Sequence, residues 1–326
     1  MAGLTSIRWR NLFLFATATA VYASQGDIDV SFRICVQQCS SEMCSSAQKS
    51  KFGDGFPYWN CNDDCSYDCM QSITSERSLQ GYGPLKYYGH WPFLRTFGLE
   101  EPASVVFSLF NAVPYIISLF DSYKKKNCDS KDTFMDRWLT LYYIISINTW
   151  LASAFFHSRK TDNASFYDYI SALLFLGYSL WLATRRILGA QANSKIVLIS
   201  FVFSLTMYVS QVVRMHFGYV TFDDHMNLSI TIAILNVVTW LSWLLISAPV
   251  SSEGAKEKHS YRYLCLICQI WFSLAALLEL FDFPAIWGIF DAHSLWHAAT
   301  IPLGFVWAYF WRTDREMFLN GSKKDC

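Results

Sequence analysis

Histidine, serine and aspartate residues near the ends of apolar segments have the types and spacing of a hydrolytic metal site. His293 and His297 are four residues apart, so on a helix they share one face and can direct two imidazoles toward one point. A third imidazole, His157, closes another apolar segment. Three histidine ligands leave the fourth position of Zn²⁺ open for water, as in catalytic zinc sites. The spacing therefore predicts a zinc site of His157, His293 and His297.

Two further side chains fit the chemistry of such a site. Asp168 lies eleven residues after His157, and we expect it to orient or deprotonate a water molecule. Ser153 lies one helical turn before His157, and we expect it to donate a hydrogen bond to that water or to the developing oxyanion. Bound zinc would lower the pKa of the water to about 7. Glu101 and Asp291 are predicted as supporting residues.

The composition places these residues in a membrane. Of 326 residues, 53% are apolar and only 16% are charged, whereas a soluble domain carries about 25% charged residues. This balance argues against a disordered chain, a coiled coil or a cytosolic enzyme. The net charge is zero, so the chain lacks the basic field that nucleic-acid binding needs.

Apolar blocks of about 20 residues recur from Pro102 onward and predict an all-α, seven-transmembrane helical bundle. The predicted spans are 102–122, 138–157, 166–184, 195–213, 228–248, 263–281 and 292–311. In this arrangement the serine, histidine and aspartate motifs fall at one depth on one side of the membrane. Ionisable groups at membrane depth are costly and indicate function.

The loop charges give the orientation. The segments predicted to be cytosolic hold fifteen Lys and Arg residues, against three in the opposite loops. By the positive-inside rule, the N-terminus is lumenal and the C-terminus cytosolic. The candidate site then faces the lumen.

The first hundred residues predict a signal peptide and a small disulfide-rich module. Residues 1–24 have two arginines, a short apolar stretch and small residues, which is typical of a cleaved signal peptide, although an uncleaved anchor is the alternative. Residues 25–97 are polar and form a predicted lumenal module. They hold six cysteines: Cys35, Cys39, Cys44, Cys61, Cys65 and Cys69. Disulfides are favoured over a metal knuckle, but the sequence leaves their pairing open.

The remaining chain divides into a membrane domain, 98–312, and a cytosolic tail, 313–326. Lys323 and Lys324 stand fourth and third from the end, as in a dilysine retrieval signal, while an ordinary basic end is the alternative. The signal predicts recognition by the COPI coat and residence in the endoplasmic reticulum membrane, or in the Golgi.

Taken together, the motifs resemble the CREST superfamily of membrane hydrolases, and within it the Per-like branch that remodels GPI anchors. The resemblance covers nearly the whole mature chain. It rests on the Ser-x-x-x-His, Asp and His-x-x-x-His motifs and on the two cysteine clusters. It also rests on four short runs: His90-Trp91-Pro92-Phe93, Glu101-Pro102-Ala103-Ser104, Leu278-Glu279-Leu280-Phe281-Asp282-Phe283-Pro284 and Asp291-Ala292-His293.

The resemblance implies an acyl-ester hydrolase of the phospholipase A2 type. Such an enzyme removes the sn-2 fatty acid of GPI-anchored proteins in the membrane and leaves a lyso-GPI. By the superfamily pattern, the three histidines carry zinc, while Ser153 and Asp168 assist catalysis.

Three other functions stay open at this point. A seven-span receptor with a cysteine-rich ectodomain would leave the histidines unexplained. A ceramidase-like amide hydrolase would suit the site chemistry equally well, although the cysteine module argues against it. A chaperone for GPI-anchored proteins would use the cysteine module as its binding surface.

Overall fold

The structure is a computed structural model that describes residues 25–44, 59–128, 134–188, 194–246 and 261–322. The predicted signal peptide, 1–24, and the Lys323-Lys324 signal lie outside these ranges. The described residues form helices and turns with isolated β-bridges but no β-strand. They divide into two compact units. One unit contains the described residues of Met1–Glu101 and of Phe283–Asp291, and the other contains those of Pro102–Asp282 and of Ala292–Cys326.

The first unit contains a short helical turn, α1 (Gln25–Ile28), and two longer helices, α2 (Val30–Met43) and α3 (Cys61–Leu79). Polar caps fix where the longer helices begin. The Asp29 carboxylate accepts a hydrogen bond from the Phe32 amide at the start of α2, at 3.0 Å. At α3, Asn60 and Asp63 each accept from the other's backbone amide at 2.9 Å, which is a capping box.

Three disulfides join α2 and the residue that caps its end, Cys44, to α3: Cys35–Cys69, Cys39–Cys65 and Cys44–Cys61. The pairing is nested, so the first cysteine of one helix bonds to the last cysteine of the other, as expected for antiparallel neighbours. The prediction of a disulfide-rich N-terminal region is confirmed. Cross-links of this kind stabilise a unit whose apolar core is small, and here that core centres on Phe32, Cys69 and Tyr87.

Loop segments complete the first unit around Arg95. Its guanidinium carbon lies 3.6 Å from the ring centroid of Trp59 and 4.3 Å from that of Tyr67, and it pairs with Asp64 at 3.1 Å. The 283–291 segment joins the same unit through a 2.8 Å hydrogen bond from the Leu94 amide to the Gly288 carbonyl.

The second unit contains the long apolar helices, whose backbone groups are satisfied internally as a bilayer requires. They are α4 (Pro102–Cys128), α5 (Phe134–Ser158), α6 (Asp162–Leu188), α7 (Ser194–His216), α8 (Phe222–Ile246), α9 (Arg262–Phe281) and α10 (Ala292–Ser322). Within the described ranges, six of them, α4 to α9, are long and apolar enough to cross a membrane. The chain is therefore a multi-pass membrane protein, and the predicted all-helical fold is confirmed.

The predicted seventh span lies within α10. That helix has 31 residues, which is ample length for a bilayer, but it is less apolar than the other six. The reason is visible in its buried positions, because His297, Thr300 and Asp314 all point into the protein rather than toward lipid.

Helix α4 packs against both α5 and α10, and α10 packs in turn against α9. A close approach of α4 and α10 depends on Gly304, where an added Cβ would lie 2.9 Å from the Pro114 ring. Around the C-terminal half of α10, a buried aromatic cluster of Trp240, Phe310 and Trp311 fills the core of the bundle. These contacts fix how α4, α5 and α10 present their polar side chains.

Candidate metal centre

The polar side chains of the candidate site gather at one end of the second unit. This end holds the last turns of α5 and α9 and the first turns of α4, α6 and α10. Consecutive helices such as α5 and α6 are joined by short connections, so they run antiparallel and alternate ends meet. His157 closes α5, and His293 and His297 open α10. The fold therefore brings together residues that are more than 130 positions apart.

The three predicted ligands converge. The Nε2 atom of His293 lies 3.0 Å from Nε2 of His297 and 3.3 Å from Nε2 of His157. The ligand atoms of the three residues all lie within 4.8 Å of one another. A tetrahedral zinc ion bonded to nitrogens at about 2.0–2.1 Å would set two ligand nitrogens about 3.3 Å apart. The donor set and its spacing thus fit zinc.

The Nδ1 contacts of His293 and His297, on the side of each ring away from the cluster, agree with metal binding. Nδ1 of His293 lies 2.6 Å from the Glu279 carboxylate, so the imidazole donates its N–H there and leaves a lone pair on Nε2. Nδ1 of His297 lies 3.3 Å from Oγ of Ser108. Metal-binding histidines characteristically donate their second ring N–H to such a partner.

Burial is uneven around the cluster. His157 and His297 are each only 2% exposed, while the side chain of His293 is 35% exposed. The Trp150 and Trp296 rings pack against His297, with centroids at 5.5 and 4.8 Å. The centre therefore has an apolar, closed side and an open side at His293.

Ser153 connects to the histidines through α4. Its Oγ atom lies 3.1 Å from Ser108 Oγ, which in turn contacts Nδ1 of His297. When His297 donates to Ser108, the Ser108 hydroxyl hydrogen is available to donate to Ser153. In that arrangement the Ser153 hydroxyl hydrogen stays available for a substrate. Ser108 is fully buried and Ser153 nearly so, which fixes their geometry.

The backbone of α10 is also tied to α4 at this level. The His297 carbonyl accepts hydrogen bonds from Asn111 Nδ2 and from Thr300 Oγ1, each at 2.8 Å. Asn111 is nearly fully buried, and its amide nitrogen also donates to the Phe107 carbonyl at 2.9 Å. These bonds hold the first turns of α10 in register with α4.

The remaining predicted residues are placed differently. Asp168 is partly buried in the second turn of α6, where its carboxylate interacts electrostatically with His293. Glu101 and Asp291 belong to the other compact unit, and both are buried. The supporting role of these two acids stays a prediction.

Three residues that contact the histidines are not among the site residues predicted from the sequence: Glu279, Ser108 and Asn111. Each is a polar residue in a mostly apolar helix, and each contacts His293 or His297. One signal was present, since Ser104, Ser108 and Asn111 lie at i, i+4 and i+7 and so share a face of α4.

The arrangement defines a class: a multi-pass membrane protein with three converging histidines at one end of its helix bundle. Comparison with known proteins agrees with this class and narrows it. Residues 55–315 match the model of the Per1-like family, and the chain belongs to this family.

Curated relatives match over nearly their full length. The chain is similar to the GPI-specific phospholipase A2-like PGAP3 of Danio rerio, with 31% identity over 95% of this chain and 96% of the relative. It is 29% identical to the protein of that name in Homo sapiens, over 99% of this chain and 98% of the relative. It is also similar to post-GPI attachment to proteins factor 3 of Drosophila melanogaster, with 31% identity over 90% of this chain and 89% of the relative. No solved structure matches the chain significantly.

Proposed function

We propose that this protein remodels GPI anchors by hydrolysing their sn-2 acyl ester at the histidine cluster. The observation that carries the proposal is the convergence of His157, His293 and His297, with two ring Nδ1 atoms held by Glu279 and Ser108. The names of the relatives, GPI-specific phospholipase A2-like PGAP3 and post-GPI attachment to proteins factor 3, support the substrate class. The substrates would be GPI-anchored proteins in the membrane.

The three histidines would hold the metal, for which Zn²⁺ fits the nitrogen donors best. When bound, zinc supplies Lewis acidity that activates water and polarises the ester carbonyl near neutral pH. The surrounding protein contributes the apolar wall of Trp150 and Trp296, which limits water at the closed side of the centre.

Ser153 and Asp168 would act on the reacting atoms. Asp168 accepts a proton from a water molecule while the oxygen of that water adds to the ester carbonyl carbon. Ser153 donates its hydroxyl hydrogen to the developing oxyanion while Ser108, 3.1 Å away, donates to the Ser153 oxygen. The bond from the acyl carbon to the glycerol oxygen then breaks, and the departing oxygen takes the proton held by Asp168. The products are a free fatty acid and a lyso-GPI.

The orientation and compartment are part of the same proposal. The excess of Lys and Arg in alternate loops supports a lumenal N-terminal module, a lumenal catalytic end and a cytosolic C-terminus. We place the protein in the endoplasmic reticulum membrane or the Golgi, with a signal peptide at 1–24, a module at 25–97, a membrane domain at 98–312 and a tail at 313–326. The COPI coat would bind the tail. GPI anchors occupy the lumenal leaflet, so the substrate and the site would share one side.

The test is deacylation by the purified full-length protein and its variants. His157→Ala, His293→Ala and Ser153→Ala should lose release of the sn-2 fatty acid, with Ser153→Ala slower by about 10²–10³-fold. The two histidine variants should also lose zinc in elemental analysis, and His297→Ala should lose it too. His216→Ala, at the exposed end of α7, is the matched control and should keep both properties. Normal lyso-GPI production by the histidine variants, or hydrolysis of ceramide in place of the GPI ester, would refute the proposal.

A further inference from the structure

The open side of the histidine cluster is formed by Glu279 together with His293. Their side chains are 38% and 35% exposed, whereas His157 and His297 are almost completely buried. Glu279 lies in the last turn of α9, and its Oε2 atom is 2.6 Å from Nδ1 of His293. Glu279 is therefore the side chain that fixes the ring of the most exposed histidine.

The position and the chemistry of Glu279 both favour a role in orienting His293 over a purely structural role. Without a hydrogen-bond partner, a histidine side chain with 35% exposure would rotate about χ1 and χ2 and exchange its ring proton between the two nitrogens. A carboxylate can only accept, so it keeps the hydrogen on Nδ1 and the lone pair on Nε2, aimed at Nε2 of His157 and His297. We infer that Glu279 is a positioning residue that makes His293 a metal ligand. This inference rests on the proposed function, because it requires a metal at the three histidines.

Metal affinity, measured apart from activity, tests the inference. The full-length protein is stripped with a chelator and titrated with Zn²⁺ alone, in competition with a chromophoric chelator. Glu279→Ala should bind zinc about 10–100-fold more weakly than the wild type. Glu279→Gln retains an acceptor oxygen without the charge, so its affinity should fall between those of the alanine variant and the wild type. Asp282→Asn, three residues further along the chain, is the matched control and should bind as the wild type does.

The outcomes separate the two proposals. Wild-type affinity in Glu279→Ala, together with loss of binding in His157→Ala, would overturn the role of Glu279 and leave the metal site intact. Unchanged binding in His157→Ala would overturn the metal site itself. An equal loss in the alanine and glutamine variants would contradict a role based on accepting the Nδ1 hydrogen.

A different observation concerns the opposite end of the second unit. A cavity of about 700 Å³ opens between the end of α4, the start of α5 and the last part of α10. Arg137, in the first turn of α5, lines it, whereas His157 is in the last turn of that helix. At 1.5 Å per residue the two lie about 30 Å apart, which is the thickness of the hydrocarbon core of a bilayer. The cavity therefore lies at the membrane interface away from the histidines.

The lining of this cavity includes an aliphatic part and a charged part. Aliphatic walls come from Leu119, Leu139, Leu141, Ile144 and Ala308. The charged residues of its rim are three arginines and two aspartates: Arg137, Arg312, Arg315, Asp121 and Asp136. Three arginines against two aspartates give these residues one net positive charge. Arg312 pairs with Asp121 and Arg315 with Asp136.

These features match the two parts of a phospholipid. An arginine pairs with one carboxylate through part of its five-donor guanidinium, and its other N–H groups stay able to bind phosphate oxygens. Basic pockets between membrane helices at this depth bind anionic headgroups. We propose that the cavity binds one anionic phospholipid, with its phosphate on Arg312 and Arg315 and an acyl chain along the aliphatic wall.

A charge-neutral variant tests this site without changing the net charge of the protein. Arg312→Gln with Asp121→Asn, combined with Arg315→Gln and Asp136→Asn, removes the rim pairs together. In nanodiscs or delipidated detergent micelles, binding of phosphatidylserine should weaken about tenfold or more, while Lys195→Gln, exposed on α7, should bind as the wild type does.

Two further arms distinguish the source of the phosphate. Phosphatidylcholine should bind at least tenfold more weakly than phosphatidylserine, and inorganic phosphate at millimolar concentration should not displace the lipid. Displacement by inorganic phosphate would make this a site for a free anion. Equal binding of the zwitterionic lipid, or unchanged binding in the quadruple variant, would equally overturn the proposal.

Discussion

Ser108 Oγ lies 3.3 Å from Nδ1 of His297, and this contact joins α4 to a histidine of the candidate site on α10. The same oxygen lies 3.1 Å from Ser153 Oγ on α5. One buried hydroxyl therefore bonds to the histidine cluster on one side and to the proposed oxyanion donor on the other. Since both neighbours depend on it, Ser108 is a sensitive place to test the site.

Replacing Ser108 by alanine should slow deacylation without abolishing it. The lost hydrogen bond to Ser153 has a net value of about 1 kcal/mol, so we expect kcat to fall roughly fivefold to tenfold. Zinc should still bind, although more weakly, because the three Nε2 atoms stay in place while His297 loses the partner of its Nδ1. Ser118→Ala is the matched control, since its hydroxyl donates within α4 to the Pro114 carbonyl at 2.8 Å. A wild-type rate in Ser108→Ala would show that the hydroxyl chain has no catalytic role.

The disulfide pattern gives a second prediction, which concerns the N-terminal unit. Peptide mapping without reduction should recover three linked pairs, Cys35–Cys69, Cys39–Cys65 and Cys44–Cys61. The buried thiols Cys265 and Cys268 should react with a thiol reagent only after denaturation. Removing one bridge by a double alanine substitution should cost about 2–5 kcal/mol of unfolding free energy. Any cross-pairing between the clusters, such as Cys35 with Cys61, would contradict the nested arrangement.

Much of this architecture was predictable from sequence, for identifiable reasons. Twenty-residue apolar blocks specify membrane helices because a bilayer admits few other backbone structures. The His293 and His297 pair could be predicted because residues four positions apart lie on the same face of any α-helix. The disulfide pairing was not, since six cysteines allow fifteen combinations that local pattern does not rank.

The sequence also does not predict which groups an isolated polar residue contacts. Glu279 is one acid in an apolar helix, and its bond to His293 depends on how α9 packs against α10. The 283–291 segment reads as a loop between spans, yet it folds with the N-terminal unit through Leu94 and Gly288. The long-range contacts of a loop or of an isolated polar side chain do not produce a periodic sequence pattern, so periodicity does not predict them.

A buried ion pair gives a third prediction, on stability. Arg186 donates two hydrogen bonds of 2.7 Å to Asp314, and the Tyr261 hydroxyl donates a third at 2.7 Å. Asp314 is fully buried, so Asp314→Ala leaves a guanidinium without its counter-charge and should destabilise the protein by about 3–5 kcal/mol. Thermal or denaturant unfolding of the purified protein measures this.

Two companion variants sharpen that test. Tyr261→Phe removes one neutral donor and should cost only about 1–2 kcal/mol. Arg214→Gln, at an exposed position on α7, should change the stability by less than about 0.5 kcal/mol. A small effect of Asp314→Ala, comparable with that of Arg214→Gln, would mean that the pair is not buried in the membrane-embedded protein.

The close approach of α4 and α10 gives the last prediction, which links packing to activity. A Cβ at Gly304 would lie 2.9 Å from Cγ of Pro114, and a proline ring cannot rotate out of the way. Gly304→Ala should therefore separate the helices, cost about 1–3 kcal/mol and weaken the contacts of Ser108 and Asn111 with His297. Gly177→Ala is the matched control, because no heavy atom lies within 4 Å of its added Cβ, and there alanine should be neutral or stabilising. Deacylation and melting temperature should fall together in Gly304→Ala, whereas a fall in melting temperature with a normal rate would mean that the helix spacing does not set the geometry at His297.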